Sequence, residues 1–376
     1  GLYYSLTEWT NPLYRWTVDT NISIDNYVDK HLIPQFKELV DKFKPSVIFS
    51  DGDWDFNHKS FRSNEMVQYY YDVVGKEGIV NDRWGIGFNH GYSTPEYSSG
   101  IMDKNRPWAE CRGLSRSFAL NRNADLETYL TSEDLIKHFA RLVAAGGGLT
   151  INVGPSADGK IPLLQQERLL DLGQWIKVNE EAIYGSRPFE TVYQNQDMIT
   201  NRIDEEINFN WVRNSPSKGV SEDNFSIFWK SNITPTQTDT YTIYLEADEE
   251  AGLEIKDDEG KTILRLASQK EEVKHRVKLK KDHNYTFELS YQEKTHEAVV
   301  KLSWECSQFE KQPIKSQWNG EVSWENTYVC FTKNKGNLYA ISLEPISNSL
   351  TFKLDKAPEV EMKVFLLGEK RIEIPW

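Results

Sequence analysis

Apolar residues recur at two different spacings along this chain, and the spacing changes once, near residue 190. Before that point, Val28, Leu32, Phe36, Leu39, Val40 and Phe43 step by four, four, three, one and three, which is one face of a helix. Pro34 interrupts the run, predicting a kink or two short helices, and Pro45 ends it. The apolar strand Val47–Phe49 follows. Glu65 to Val74 reads as a helix capped by Gly75, and Gly78 to Asp82 as a short strand. Thr131-Ser132-Glu133-Asp134 opens a helix with buried positions at Leu135, Ile136, Phe139, Leu142 and Val143. Gly146-Gly147-Gly148 stops it, a strand runs from Leu149, and a last helix carries Leu163, Leu170, Leu172, Trp175 and Ile176. Strands alternating with helices require a parallel sheet with both faces covered, either a barrel or an open sheet. Asp51, Arg83 and Asn152 each stand at or just after a strand, where (β/α)-barrels place their active sites, so the expected fold is a barrel.

Beyond residue 190 the helical period is lost. Phe225–Lys230, Tyr241–Leu245, Tyr285–Leu289 and Val299–Trp304 alternate apolar and polar residues between turn signals, as strands of an antiparallel β-sandwich do. A similar block from about Trp324 (Tyr328–Phe331, Leu338–Ile341, Leu350–Phe352, Met362–Leu367) reads as a second β-domain. The expected fold class is therefore α/β plus all-β: a partial (β/α)-barrel followed by antiparallel β-sandwich domains.

Composition narrows the partners. A net charge of −13 with no basic block argues against nucleic acid. Three distant cysteines, Cys111, Cys306 and Cys330, form neither a disulfide framework nor a thiolate zinc site. The seven histidines show no metal-binding spacing, and no apolar run has transmembrane length. Twelve Trp and 18 Tyr supply flat faces of the kind that suit sugar rings. The chain opens on Gly1–Ser5 without Met or a signal peptide and closes on Glu373–Trp376, both in mid-pattern, which leads us to expect a fragment of a longer protein.

The chemistry candidates begin with VIFSDGDWD, residues 47 to 55. An apolar strand ending on Asp51-Gly52 is either a simple turn or a strand that delivers a carboxylate to a site, because burying an uncompensated charge is costly. An aspartate there can attack an anomeric carbon, orient a water or bind a metal, with Trp54 beside it. Glycoside hydrolysis needs a second carboxylate. Glu96, behind Pro95 and between Tyr92 and Tyr97, is one candidate, and Glu110 in Trp108-Ala109-Glu110-Cys111-Arg112 is another. Either is equally at home as an exposed loop acid. Arg83 either pairs with Asp82 or donates to sugar hydroxyls. Gly146–Gly148 lacks the Lys-Ser/Thr of a phosphate loop and ends a helix, so it reads as a cap and packing device. Tyr3, Tyr4 and Trp9 fit core or cleft equally well.

The ordered motifs GLYYSLTEW, PQFKELVDKFKP, SDGDW, VNDRWG, TPEY, WAECRG, GGGLTINVGPSADGKIP and EEAIYGSRPFE resemble those of the glycoside hydrolase family 29 α-L-fucosidases, over about residues 1–190 and the last β block. That resemblance implies residues 1–185 as the C-terminal portion of a barrel catalytic domain, and 186–199 with 319–376 as a C-terminal sandwich. It implies an exo-acting retaining enzyme that releases terminal α-linked L-fucose by double displacement, without a cofactor. Asp51 falls on the family nucleophile. Glu96 is the first choice for the acid/base and Glu110 the rival, displaced by one place in its motif. Tyr4, Phe49 and Arg83 fall on positions that line the sugar, and Trp54 stands beside them. The family's histidine-bearing first strands precede this stretch, so activity is expected of the intact protein and not of these residues alone. Residues 200–318, with Asn210-Trp211 and Asp239–Asp248, resemble the anthrax protective-antigen-type β-sandwich. The resemblance implies carbohydrate binding, with Asp248 and Asp257-Asp258 either calcium ligands or solvated loop acids. The rival functional readings are a carbohydrate-binding protein whose catalytic pair has drifted and a metal-assisted hydrolase on the same barrel. Fucosylated glycans are the implied partners, and a secreted, periplasmic or cell-surface location in a bacterium is the expectation from substrate class.

Overall fold

The computed structural model describes residues 1–14, 23–98, 106–115, 117–212, 215–217, 219–221, 223–294, 298–346, 348–354, 363–367 and 372–374. The chain forms two compact units, Gly1–Ile183 and Tyr184–Trp376.

The first unit alternates strand and helix: β1 (Leu2–Ser5), α1 (Asp25–Tyr27), α2 (Ile33–Phe43), β2 (Val47–Asp51), α3 (Ser63–Val74), β3 (Ile79–Val80), β4 (Ala109–Gly113), α4 (Ser132–Ala144), β5 (Gly148–Asn152) and α5 (Leu163–Ile183). A π-helical stretch, Val28–Leu32, joins α1 to α2, so Pro34 sits in the first turn of α2, where its missing N–H costs nothing. Lys44 ends α2 in the left-handed conformation, φ 40°, just before Pro45.

Strand β1 pairs parallel with β2, and β2 with β3. Parallel bridges then carry the pairing onward, Asn81 to Tyr92, Ser93 to Trp108 and Glu96 to Cys111, and β4 pairs parallel with β5. Neighbours thus follow chain order with no reversal, which is the topology of an arc of a (β/α)-barrel and not of a doubly wound sheet. Leu6, Val28, Leu32, Phe36, Val40, Ile48, Phe61, Met66 and Tyr70 form one buried cluster. Each such side chain stabilises by about 1.5–3 kcal/mol relative to exposure. Phe43, Leu163 and Leu170, on the expected apolar helix faces, lie at the surface instead. Gly146, at φ 84°, closes α4, and a Cβ on Gly147 would meet Trp108 at 2.3 Å, so the triple glycine is a cap and a close-packing device.

The second unit is antiparallel: β6 (Arg187–Asp204), β7 (Asn208–Val212), β8 (Phe225–Ile233), β9 (Asp239–Lys256), β10 (Thr262–Leu279), β11 (Tyr285–Glu293), β12 (Ala298–Cys306), β13 (Phe309–Pro313), β14 (Trp318–Asn334) and β15 (Asn337–Ser342), with a small pair β16 (Val364–Leu366) and β17 (Ile372–Ile374). Strand β9 pairs with β12 through residues 242–247 and with β11 through 250–256, turning a corner around a single core that includes Trp229, Ile255, Phe287, Leu289 and Trp318. The block expected as a second β-domain shares two long strands with the first: residues 318–324 of β14 pair with 198–204 of β6, and 319–324 also with β8, while 325–333 of β14 pair with 187–197 of β6 and 329–334 with β15, all in one ten-stranded sheet. Leu350–Phe352, expected as a strand, is irregular, and Met362 lies outside the described residues.

Candidate active site

The parallel register sets Tyr3 beside Phe49 and Ser5 beside Asp51. Strand side chains alternate between faces, so Tyr3, Phe49 and Asp51 share one face while Tyr4, Ile48 and Ser50 share the other. Asp51 ends its strand because Gly52 turns the chain at φ 84°, where a Cβ would lie 2.8 Å from the Thr7 side chain.

Arg83, just beyond β3, joins the acids. Its Nη1 donates to Asp51 Oδ1 at 3.0 Å and to Glu96 Oε1 at 2.5 Å. Its Nε and Nη2 donate to Thr94 Oγ1 and to the Thr94 carbonyl at 2.9 and 2.8 Å, so most of the guanidinium is anchored. Thr94 is itself held by Asp82 Oδ1, and Asp82 Oδ2 accepts from Arg106 at 3.1 Å. The guanidinium carbon stands 5.4 Å above the Phe49 ring, and Tyr3 stacks on Phe49 at 6.0 Å and 15°. Tyr3 donates its phenol proton to Asp51 Oδ2 at 2.5 Å. Burial alone would lower the Arg83 pKa, but the hydrogen bonds to Asp51 and Glu96 outweigh it and raise it. Burial, together with the Asp51 carboxylate it faces, pushes the Tyr3 phenol up, so it stays a donor. Burial likewise raises Asp53, against the pull of Arg83, and raises the Cys111 thiol.

The structure thus brings together Asp51, Arg83, Glu96 and Phe49. It does not bring Tyr4 or Glu110 to them. Tyr4 is on the helix-facing side of β1, donating to the Leu32 carbonyl at 2.9 Å with its ring edge-on to Phe36, and Tyr3 holds the place expected of it. Glu110 is fully buried and hydrogen-bonded to His138 of α4, because the pleat of β4 turns its neighbour Cys111 toward the site instead. Trp54 lies beyond the Gly52 turn and is exposed. Tyr3 was legible in outline: Leu2, Tyr4 and Leu6 alternate with Tyr3, Ser5 and Thr7, and the more apolar set is the buried one.

In the second unit, Asp257 Oδ1 accepts from the Glu259 and Lys261 amides of a turn. Asp248 Oδ1 accepts from the Tyr291 phenol and the Val299 amide, each at 2.9 Å. Among the described residues no group of three or more His, Cys, Asp or Glu is placed to hold a metal ion, and no helix is long and apolar enough to cross a membrane.

A parallel arc with two carboxylates and an arginine gathered at its strand ends defines a (β/α) segment with an acid-pair site. Comparison with known proteins specifies it further. Residues 1–181 match the family model for alpha-L-fucosidase, and residues 182–318 match the model for the PA14 domain. The chain is 36% identical over 197 residues to an alpha-L-fucosidase of Branchiostoma floridae, covering 50% of this chain and 44% of that protein. It is 34% identical over 242 residues to the plasma alpha-L-fucosidase of Rattus norvegicus, covering 62% and 50% respectively. The chain therefore spans about half the length of the curated relatives it matches. A solved alpha-fucosidase of Thermotoga maritima superposes over 73% of this chain and 57% of its own at 25% identity, with a TM-score of 0.40.

Proposed function

We propose that this chain carries the reacting carboxylates of a retaining exo-α-L-fucosidase, with Asp51 as nucleophile and Glu96 as acid/base. The observation that carries the reading is the shared Arg83 nitrogen. Asp51 Oδ1 and Glu96 Oε1 lie 3.0 and 2.5 Å from it, so they are at most about 5.5 Å apart, within the range of a retaining pair and short of the roughly 6.5–9.5 Å of an inverting one.

In the first step Asp51 attacks the anomeric carbon. The glycosidic C–O bond breaks, and Glu96 donates its proton to the leaving oxygen. In the second step Glu96 takes a proton from water, the water oxygen bonds the anomeric carbon, and the Asp51 ester is released as carboxylate. Tyr3 and Arg83 hold the two Asp51 oxygens in a fixed orientation before attack, which lowers the entropic part of the barrier. The Phe49 ring, packed between Tyr3 and Arg83, offers an apolar face to a deoxysugar methyl. Because one carboxyl must be ionised and the other protonated, the pH–rate profile is bell-shaped. Fucosylated glycans are the substrates, and a secreted, periplasmic or cell-surface location is the one that suits them.

The test uses the chain extended to the full length of its relatives and an aryl α-L-fucoside. Wild type hydrolyses it with net retention. Asp51→Gly is inactive and is rescued by azide as the β-fucosyl azide, whereas Glu96→Gly is rescued as the α-azide. Rescue at Glu110→Gly in place of Glu96→Gly would reverse the acid/base assignment. A wild type that binds fucose and never releases it would favour the binding-protein reading.

A further inference from the structure

Glu110 is left out of the acid pair, yet a fully buried glutamate in a strand demands a reason, because one carboxylate taken from water costs several kcal/mol unless it is compensated. Its Oε2 is hydrogen-bonded to His138 Nε2 on α4. Arg112, two residues along the same face of β4, places Nη1 3.6 Å from Glu110 Oε1 and 3.4 Å from His138 Nε2. The three groups form a compact buried set between β4 and α4.

The Arg112 guanidinium also covers the ring of Tyr97, 5.3 Å from its centroid, and Phe118 meets that ring edge-on at 5.3 Å. The Tyr97 phenol accepts from the Gly113 amide at 3.1 Å and donates to the Ser115 carbonyl at 3.3 Å. Tyr97 is the residue directly after Glu96, and its backbone is left-handed, φ 45°. That conformation costs a bulky side chain about 1–2 kcal/mol. On the other side of Glu96, the Pro95 carbonyl accepts from the Cys111 amide at 2.8 Å, and the Tyr97 amide donates to the Cys111 carbonyl at 3.3 Å. Glu96 therefore sits on a short backbone bridge whose far end is strained and is secured by one aromatic ring.

We propose that Tyr97 is a positioning residue for Glu96, and that Arg112, fixed by Glu110 and His138, is the backing that holds Tyr97 in place. The proposal rests on Glu96 being the acid/base. Release of the ring lets residue 97 relax to negative φ, which swings the Glu96 carboxyl off the leaving oxygen while Asp51, held by Tyr3 and Arg83, stays where it is. Glu110 thus acts on the reaction through Arg112 and Tyr97, without touching substrate.

The experiment measures kcat/KM of the full-length enzyme on two substrates, an alkyl α-L-fucoside, whose leaving group needs a proton, and α-L-fucosyl fluoride, whose leaving group needs little help. Their ratio does not depend on how much of a variant folds. Glu96→Gln is the reference and lowers the ratio. Tyr97→Gly, which lacks the ring and leaves the backbone at residue 97 free to depart from φ 45°, lowers it by about 10- to 100-fold, the size expected of an ångström-scale misplacement. Tyr97→Phe, which keeps the ring and loses the two phenol bonds, and Arg112→Lys, which keeps the charge and loses the planar stack, lower it by smaller factors. Azide accelerates Tyr97→Gly turnover as it does Glu96→Gln. If Glu96→Gln lowers the ratio and Tyr97→Gly leaves it at the wild-type value, the positioning role is wrong and the acid/base assignment stands. If Glu96→Gln itself leaves the ratio unchanged, the acid/base assignment fails and the positioning role falls with it.

Discussion

Each unit of this chain holds a tyrosine hydrogen-bonded to an acid, with a second carboxyl close by, and the two clusters differ in one component. In the first unit Tyr3 donates to Asp51, and Arg83 binds Asp51 and Glu96 together. In the second, Tyr291 is hydrogen-bonded to both Asp248 and Glu293, and the charges that act most strongly on Glu293 are those of Asp248, Glu249 and Asp223. Among the described residues, no cation is one of the charges acting most strongly on Glu293. Burial, reinforced by those three acids and opposed by the Tyr291 hydrogen bond, pushes the Glu293 carboxyl up to about 8. The Tyr291 phenol thus bridges the two carboxyls, and the raised pKa lets Glu293 keep its proton to higher pH than an ordinary carboxyl. The same residue types make a poised acid pair where an arginine joins them at a strand end, and an interior hydrogen-bond chain where none does.

The comparison breaks most sharply at Asp51. Asp51→Asn removes the oxygen we propose attacks the anomeric carbon, and is predicted to lower kcat by on the order of 10⁴-fold or more, with the fold intact by circular dichroism. Asp248→Asn leaves kcat unchanged. Arg83→Met turns the first cluster into a relative of the second. Loss of its preorganised charge is predicted to cost about 10²–10³-fold in kcat/KM, read on the same aryl fucoside.

Glu293→Gln sharpens the comparison from the other side. The folded-state pKa of Glu293 lies above its ordinary value of 4.5, so the folded form holds a proton that the unfolded form releases. Its contribution to stability is complete below about 4.5 and is lost as pH rises through about 8. Thermal scans from about pH 5 to about pH 9 are predicted to show the second unit losing on the order of a few kcal/mol, and Glu293→Gln to flatten that slope. The smallest effects come from the two phenols. Tyr291→Phe costs about 1–3 kcal/mol of stability, read by denaturant unfolding, and leaves activity unchanged. Tyr3→Phe leaves stability within about 0.5 kcal/mol and lowers kcat, because its hydroxyl serves Asp51 at an exposed strand end.

Much of the first cluster was legible because its signals are local. Val47-Ile48-Phe49 followed by Asp51-Gly52 marks a buried strand that delivers an acid, and Arg83 follows the next short strand in the same way. Glu96 stood out between its two tyrosines. What remained hidden depends on register. Whether Tyr3 or Tyr4 faces the acids is set by the parity of β1 against β2, and a shift of one residue reverses it. Glu110 looked like a displaced catalytic acid because a sequence does not show which face of β4 meets α4. Asp248 and Glu293, which share the Tyr291 phenol, lie far apart in sequence and are brought near by the antiparallel pairing of β9 with β11. The single ten-stranded sheet was likewise invisible, because β14 finds its main partner β6 more than a hundred residues upstream.

The most direct test of the account is covalent trapping. The full-length enzyme is incubated with 2-deoxy-2-fluoro-L-fucosyl fluoride, digested, and the labelled peptide sequenced by mass spectrometry. The account predicts one fluorofucosyl ester, on Asp51, with Glu96→Gln accumulating the same ester. An ester on Glu96, Glu110 or any other carboxylate, or an enzyme that hydrolyses fucosides with inversion and traps no label, would contradict it.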